Sequence, residues 1–393
     1  MIATENQSLP RHSPGLDILR TIAILLVFTT HFRLFAGHAW FEPIARFGWA
    51  GVDLFFVLSG FLISSQLFQS IAKGEKISWK AFYLRRGLRI WPVYLAVLIL
   101  YFTVPAMLER STLPPLWKFL TFTQNFGLDS QRGLAFSHAW SLCVEEHFYL
   151  IIPFFILAMQ RYSHFRKSIF VFITVILSGM TIRFFLWSHH AEFYREIYYP
   201  TYCRLDGLAT GVAIAAIYRL RSTLWGKITR RANTFFVIGI VGVLAAYFVC
   251  KDQHDLGAIV FGFPLLAFSF GSLVISAVSQ NGLFSKLKIP FTKLGASLAF
   301  SFYLIHKSII HLSKDWILNA GIPETSIFYP IGIFLACVLA SLPLYFIIEK
   351  PGLLLRDKLA RKLKSASTLT VAMGVRANSR ATQTSQKPSA HNK

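Results

Sequence analysis

Acidic side chains are scarce in this sequence. Its 393 residues hold 18 Asp and Glu against 40 Lys and Arg, and charged residues of both signs together reach only 15%. A soluble domain carries nearer a quarter, so a freely soluble globular protein is excluded. Cysteine is sparse as well. Cys143, Cys203, Cys250 and Cys337 show no metal-ligand spacing, so no metal is expected, and they set out no disulfide framework. Cys143 and Cys203 fall on the same, outer side, but no disulfide between them is expected. The opening stretch MIATENQSLPRHSPG has no apolar core ahead of a cleavage site, so no cleaved leader is expected. There is no internal repeat, and no soluble catalytic domain is expected beyond the apolar region.

What fills the chain instead is apolar: 54% hydrophobic and 16% aromatic residues, with a mean hydropathy of +0.51. Runs long enough to cross a bilayer recur along it, which predicts an all-α, polytopic transmembrane bundle of about ten helices. The expected spans are 16–36, 47–71, 88–108, 142–159, 167–188, 204–219, 234–250, 257–279, 296–313 and 327–348. Before the tail, eighteen basic residues fall in one alternating set of loops and eight in the other. By the positive-inside rule the richer set is cytoplasmic, and so are both termini. That distribution also accounts for the net charge of +22 without nucleic acid as a partner. The chain divides into a cytoplasmic segment 1–15, a membrane domain 16–351 and a tail 352–393. Pro351 is expected to end the last helix. The basic piece LLLRDKLARKLK then lies on membrane lipid, and a disordered stretch follows from Ser365.

Polar residues inside the apolar runs are the candidates for chemistry, because each is costly in lipid unless it faces protein or water. Arg20 and His31 lie in the first span, eleven positions apart, which is about three turns and one helix face. Asp53 sits about two turns into the second. HAWSLCVEEHFYL opens the fourth with His138, Trp140 and Ser141, then Glu145 and Glu146. Adjacent glutamates diverge by ~100°, and Glu145 is taken as the inward one. RLDGLATG opens the sixth, where Arg204 and Asp206 are expected to pair and Gly207 and Gly211 to make a close helix contact. Tyr303 and His306 lie mid-way along the ninth. Arg85, Arg86 and Arg89 gather in one turn beside Pro92, on the opposite side, as a site for a phosphate-bearing ligand. Each has a plain alternative: snorkelling, a structural ion pair, or a satisfied core histidine. A neutral His31 suits either a general base on a hydroxyl or a nucleophile that carries a group briefly.

In order and spacing these segments resemble the membrane acyltransferase-3 family over about residues 14–351. The matching pieces are Arg20-x10-His31, VDLFFVLSGFLI from Val52, RRGLRIWPVY from Arg85 and WSLCVEEHFYL from Trp140. RLDGLATG from Arg204, SFYLIHK from Ser301 and Glu349-Lys350-Pro351 complete the set. The resemblance implies an integral-membrane O-acyltransferase of the bacterial inner membrane. Its expected donor substrate is acetyl-CoA, with no resident cofactor. The implied acceptor is a hydroxyl of an extracytoplasmic carbohydrate or lipid-linked glycan, such as lipopolysaccharide O-antigen, exopolysaccharide, capsule or lipo-oligosaccharide. It implies roles for Arg20 and His31, for Arg86 and Arg89 of the RxxR segment, and for Glu145 and Glu146. His147 stands where the family often has Gln. Many relatives carry a further esterase-like domain, so a separate periplasmic transfer protein is an expected partner. The competing reading of the same polar residues is a proton-coupled transporter.

Overall fold

A computed structural model describes residues 13–37, 39–75, 77–129, 134–161 and 165–361. The expectations for residues 1–12 and for the tail from 362 fall outside the described residues. Ten principal helices follow one another: α1 (Pro14–Phe35), α2 (Ala50–Ala72), α3 (Trp79–Thr103), α4 (Trp140–Arg161) and α5 (Phe165–Ser188). After them come α6 (Asp206–Leu220), α7 (Ala232–Val249), α8 (Phe263–Val278), α9 (Thr292–Asn319) and α10 (Phe328–Pro343). All ten expected spans are helices, and among the described residues eight helical runs are long and apolar enough to cross a membrane. The other two have visible reasons. α6 has only 15 residues, and α9, though 28 residues long, is interrupted by His306, Lys307, His311 and Lys314.

The outward faces are apolar, as a lipid-solvated protein requires. Leu150, Phe154, Phe170, Phe185, Val241, Phe248, Leu335 and Leu339 are large, hydrophobic and exposed. The helices alternate in direction. Gly48 and Gly51 seat α2 against Leu26 and Ala23, so α1 and α2 are antiparallel. Thr21 Oγ1 donates to Thr292 O, and Phe28 packs on Phe302, so α1 and α9 run parallel at a nearly constant offset. α2 and α6 are parallel as well, because Gly207 meets Asp53 and Phe56 while Gly211 meets the backbone of Val57, Gly60 and Phe61. The absent Cβ atoms let these two backbones touch, as the small-residue spacing predicted.

The chain forms two compact units, residues 1–77 with 97–343, and residues 78–96 with 344–393. In the second, Gly352 lies against Leu88 O and Pro92, and Arg356 pairs with Asp357 at 2.8 Å. Pro351 does not end the last helix. The helical run from Phe328 carries on to Arg361, because a wide π-turn at Leu344–Glu349 relaxes the ladder just where the proline ring would crowd a carbonyl. All four cysteines are buried free thiols.

Candidate active site

Histidines from three separate elements meet at the end of the bundle where α1 finishes. His31 comes from α1, His306 from α9, and His138 from the single 3-10 turn Ser137–Ala139 that leads into α4. Ring centroids lie 4.8 Å apart for His31 and His306, 5.1 Å for His138 and His306, and 6.0 Å for His31 and His138. His31 is half-buried and faces protein, while His306 and His138 are buried. His31 Nδ1 lies 3.0 Å from Val27 O, one turn back on its own helix. The same nitrogen is 3.0 Å from His306 Nε2. Phe302 stacks flat on the His306 ring at 5.8 Å, which holds that ring in one orientation.

Tyr303, one turn before His306, ties the cluster together. Its hydroxyl donates to His138 O at 2.6 Å and accepts from Ser141 Oγ at 2.6 Å. Lys307 closes the other side, with Nζ 2.8 Å from Glu109 and donating to Ser137 Oγ at 2.9 Å. The Lys307 ammonium also lies over the Phe35 ring at 5.0 Å. Glu109 is reached from the loop after α3, and its Oε1 also accepts from Phe136 N–H at 3.0 Å. Phe136 adopts a left-handed φ of 55°, stacked at 4.3 Å on Tyr101. This strained residue, two before His138, is what turns the loop into α4.

Glu145 faces inward, as expected, but toward α2. Ser59 Oγ donates to its Oε2 at 2.9 Å, and the Tyr149 hydroxyl donates to the same oxygen. Glu146 is half-buried beside it. His147 meets Thr201 Oγ1 at 2.7 Å. Arg20 lies about three turns from His31 along α1, where its guanidinium reaches Asp17 Oδ1 at 3.3 Å.

The expected pair between Arg204 and Asp206 does not form. Only two positions apart where α6 begins, their side chains diverge, and each takes a partner from another helix. Arg204 Nη2 donates to both oxygens of Asp53, at 2.9 and 3.0 Å. Its guanidinium is enclosed by the rings of Phe263 at 4.0 Å, Tyr198 at 4.5 Å and Trp140 at 5.2 Å. Asp206 instead receives Arg183 of α5, at 2.7 and 3.1 Å. These two buried pairs leave Asp53, Trp140, Arg204 and Asp206 with the structural role that a lone intramembrane charge requires.

Arg85, Arg86 and Arg89 belong to the second unit. All three lie on α3, with Arg86 buried and the other two half-buried. Arg85 sits in the electrostatic field of Arg356 and Asp357.

The sequence reading named His138 without giving it a role, and passed over Lys307, Glu109 and Arg183. Lys307 follows His306 directly, and an ammonium next to a mid-helix histidine is itself a signal of a buried counter-charge. His138 lies in a turn with no periodicity to mark its direction.

Fold and site together define a polytopic membrane protein with a polar, histidine-centred cluster at one end of an apolar bundle, a class suited to group transfer. A family model described as "Acyltransferase domain" matches residues 13–348, and the chain belongs to that family. It is 27% identical over 363 residues to O-acetyltransferase OatA of Staphylococcus aureus strain NCTC 8325 / PS 47, covering 87% of this chain and 57% of the relative. To a putative O-acetyltransferase of strain MSSA476 it is 25% identical over 362 residues, with the same shares covered. The chain thus spans little more than half the length of the curated relatives it matches. No solved structure matches it.

Proposed function

We propose that this chain is a membrane O-acetyltransferase. In this reading it takes an acetyl group from acetyl-CoA on the cytoplasmic side and delivers it to a hydroxyl of an extracytoplasmic glycan, at the bacterial inner membrane. The basic loop charges support cytoplasmic termini, and in that orientation the histidine cluster lies at the outer face. The names of the relatives support the acetyl group. The observation that carries the reading is His31, whose imidazole leaves a membrane helix toward His306 and His138 and not toward lipid. A neutral ring there takes the proton of an acceptor hydroxyl as general base, or carries the acetyl group as a transient acyl-imidazole. Arg85, Arg86 and Arg89 are the proposed anchors for the donor's phosphates. Arg20 and Glu145, with Glu146, are proposed to serve the reaction from α1 and α4. The separate transfer protein belongs to the same proposal, as the route to acceptors held away from the membrane.

The test is the O-acetyl content of the cell's envelope glycan, read by proton NMR in strains carrying the wild type, no gene, or His31→Ala at matched membrane levels. O-acetyl signals present only with the wild type support the reading. Equal signals in all three strains refute it, and signals retained by His31→Ala remove His31 from the chemistry.

A further inference from the structure

Two backbone carbonyls decide where the protons of this cluster sit. His306 Nδ1 lies 2.7 Å from Tyr303 O, and His31 Nδ1 lies 3.0 Å from Val27 O. A carbonyl only accepts, so each Nδ1 carries its ring's hydrogen, and in a neutral imidazole the other nitrogen is then a lone pair. His306 Nε2 is therefore an acceptor, and it faces His31 Nδ1 at 3.0 Å. The proton between the two rings belongs to His31, which shares it between Val27 O and His306 Nε2. The reverse arrangement sets lone pairs against both carbonyls. His31 Nε2 is left as the basic nitrogen.

We infer that His306 is a positioning residue that holds His31 in the Nδ1–H tautomer and so makes Nε2 the nitrogen that reacts. The inference rests on the acyl-transfer reading given above. In the transfer, the acceptor O–H bond breaks and its proton goes to His31 Nε2. The oxygen's electron pair forms the bond to the acyl carbon of the thioester. The C–S bond breaks, and the thiolate leaves with the proton from Nε2, which returns the ring to neutrality. Throughout, His31 Nδ1–H stays on His306 Nε2 and Val27 O.

The orienting partner is neutral, which sets this dyad apart from a histidine held by a carboxylate. The charged and titratable groups near it are committed elsewhere. On α9, Lys307 is paired with Glu109 from the loop after α3, and the Tyr303 hydroxyl serves His138 O. Arg110 of that same loop lies over Phe35 at 5.0 Å. His138 Nε2–H donates to Leu304 O at 3.3 Å. Arg33 of α1 is held at 2.7 Å by Glu42 of the short helix Glu42–Phe47, and on α2 Asp53 is held by Arg204. From α10, Cys337 Sγ donates to His306 O at 3.7 Å. Among the described residues no carboxylate is hydrogen-bonded to His31, so its Nδ1–H is held by the neutral His306 ring and the Val27 carbonyl alone.

The test compares wild type, His306→Gln, His306→Leu and His306→Glu in membranes of the host, supplied with radiolabelled acetyl-CoA and followed from pH 5 to 9. Label entering the glycan fraction gives the rate. Nitrogen NMR of the purified, histidine-labelled proteins gives the His31 tautomer whether or not transfer is seen. The expected results are a His306→Gln rate within about threefold of wild type, because its amide oxygen accepts the same proton, and a fall of about a hundredfold or more for His306→Leu. His306→Glu, by favouring the imidazolium, moves the rising limb of the pH profile up by one to three units. NMR is expected to show Nδ1–H in the wild type and a mixture in His306→Leu. A wild-type ring protonated on Nε2 overturns the inference. So does a His306→Leu protein with the wild-type rate and limb, which leaves the Val27 carbonyl sufficient alone. Equal losses in all three variants without a shifted limb overturn it too, by making His306 merely structural. Wild-type membranes that pass no label to glycan refute the acyl-transfer reading, and the NMR result still decides the tautomer.

Discussion

Replacing Glu109 with Gln removes the counter-charge of an ammonium that has no access to water. Lys307 Nζ and Glu109 Oε1 are 2.8 Å apart, with side chains only 3% and 0% exposed. Breaking such a buried pair from one side costs about 3–5 kcal/mol, roughly a hundredfold to several thousandfold in the ratio of folded to unfolded protein. Glu109 also holds the Phe136 amide at 3.0 Å where that residue's φ is 55°, and the glutamine amide oxygen still accepts from that N–H, so the loss measured is that of the charge. Replacing the pair together, as Glu109→Leu with Lys307→Met, recovers most of the loss, since no charge is left buried. Thermal unfolding of the detergent-solubilised protein, followed by tryptophan fluorescence, measures all three. A Glu109→Gln variant that melts with the wild type refutes the reasoning. The pair also predicts a pH dependence. Burial raises the Glu109 carboxyl, but Lys307 outweighs it and holds the group below its ordinary value. A lowered folded pKa means that the pair's stabilisation is complete above the ordinary glutamate value of about 4.3. It is lost as pH falls through the lower folded value. Below about pH 4 the wild type should therefore lose stability more steeply than the double variant.

Two other substitutions test the packing. Asp53→Leu leaves Arg204 buried without its carboxylate and should cost about 3–5 kcal/mol, mostly regained with Arg204→Met; the double-mutant cycle in thermal melts decides it. Gly211→Leu drives a side chain into the backbone of Val57 and Phe61, where neither atom can yield. Loss should exceed the ~1–3 kcal/mol of ordinary overpacking, seen as a lost monodisperse peak in size-exclusion chromatography.

Much of the fold was legible because lipid imposes a single rule on every span, and among the described residues eight helical runs obey it. Gly207 and Gly211 announced a close helix contact, with the partner, α2, left open, because backbones touch only where Cβ is absent. The Arg204 partner was misread because two residues at a helix start were matched with each other, when the angle between them sends each to a different helix. Arg183, its side chain fully buried in α5, gave no sign in the sequence of which carboxylate it would meet. At the candidate site, Arg20 and His31 stood out as polar residues on one stripe, and Tyr303 and His306 as polar residues in an aromatic run. What joins His31 to His306 is a parallel α1–α9 register between rings 275 positions apart in the chain, and no local pattern encodes that. His138 depends on a strained turn at Phe136, visible only once Glu109 and Tyr101 are in place. Pro351 misled for the opposite reason: a local rule was overridden by the π-turn just before it.

The central claim is that His31 itself takes part in the transfer, and purified protein tests it most directly. Wild type, His31→Ala and His31→Gln, matched for melting temperature, are given acetyl-CoA and the host's isolated glycan, and O-acetyl product is counted. The account predicts steady product formation by the wild type and a fall of about a hundredfold or more in both variants. Product formation at the wild-type rate by either variant contradicts it.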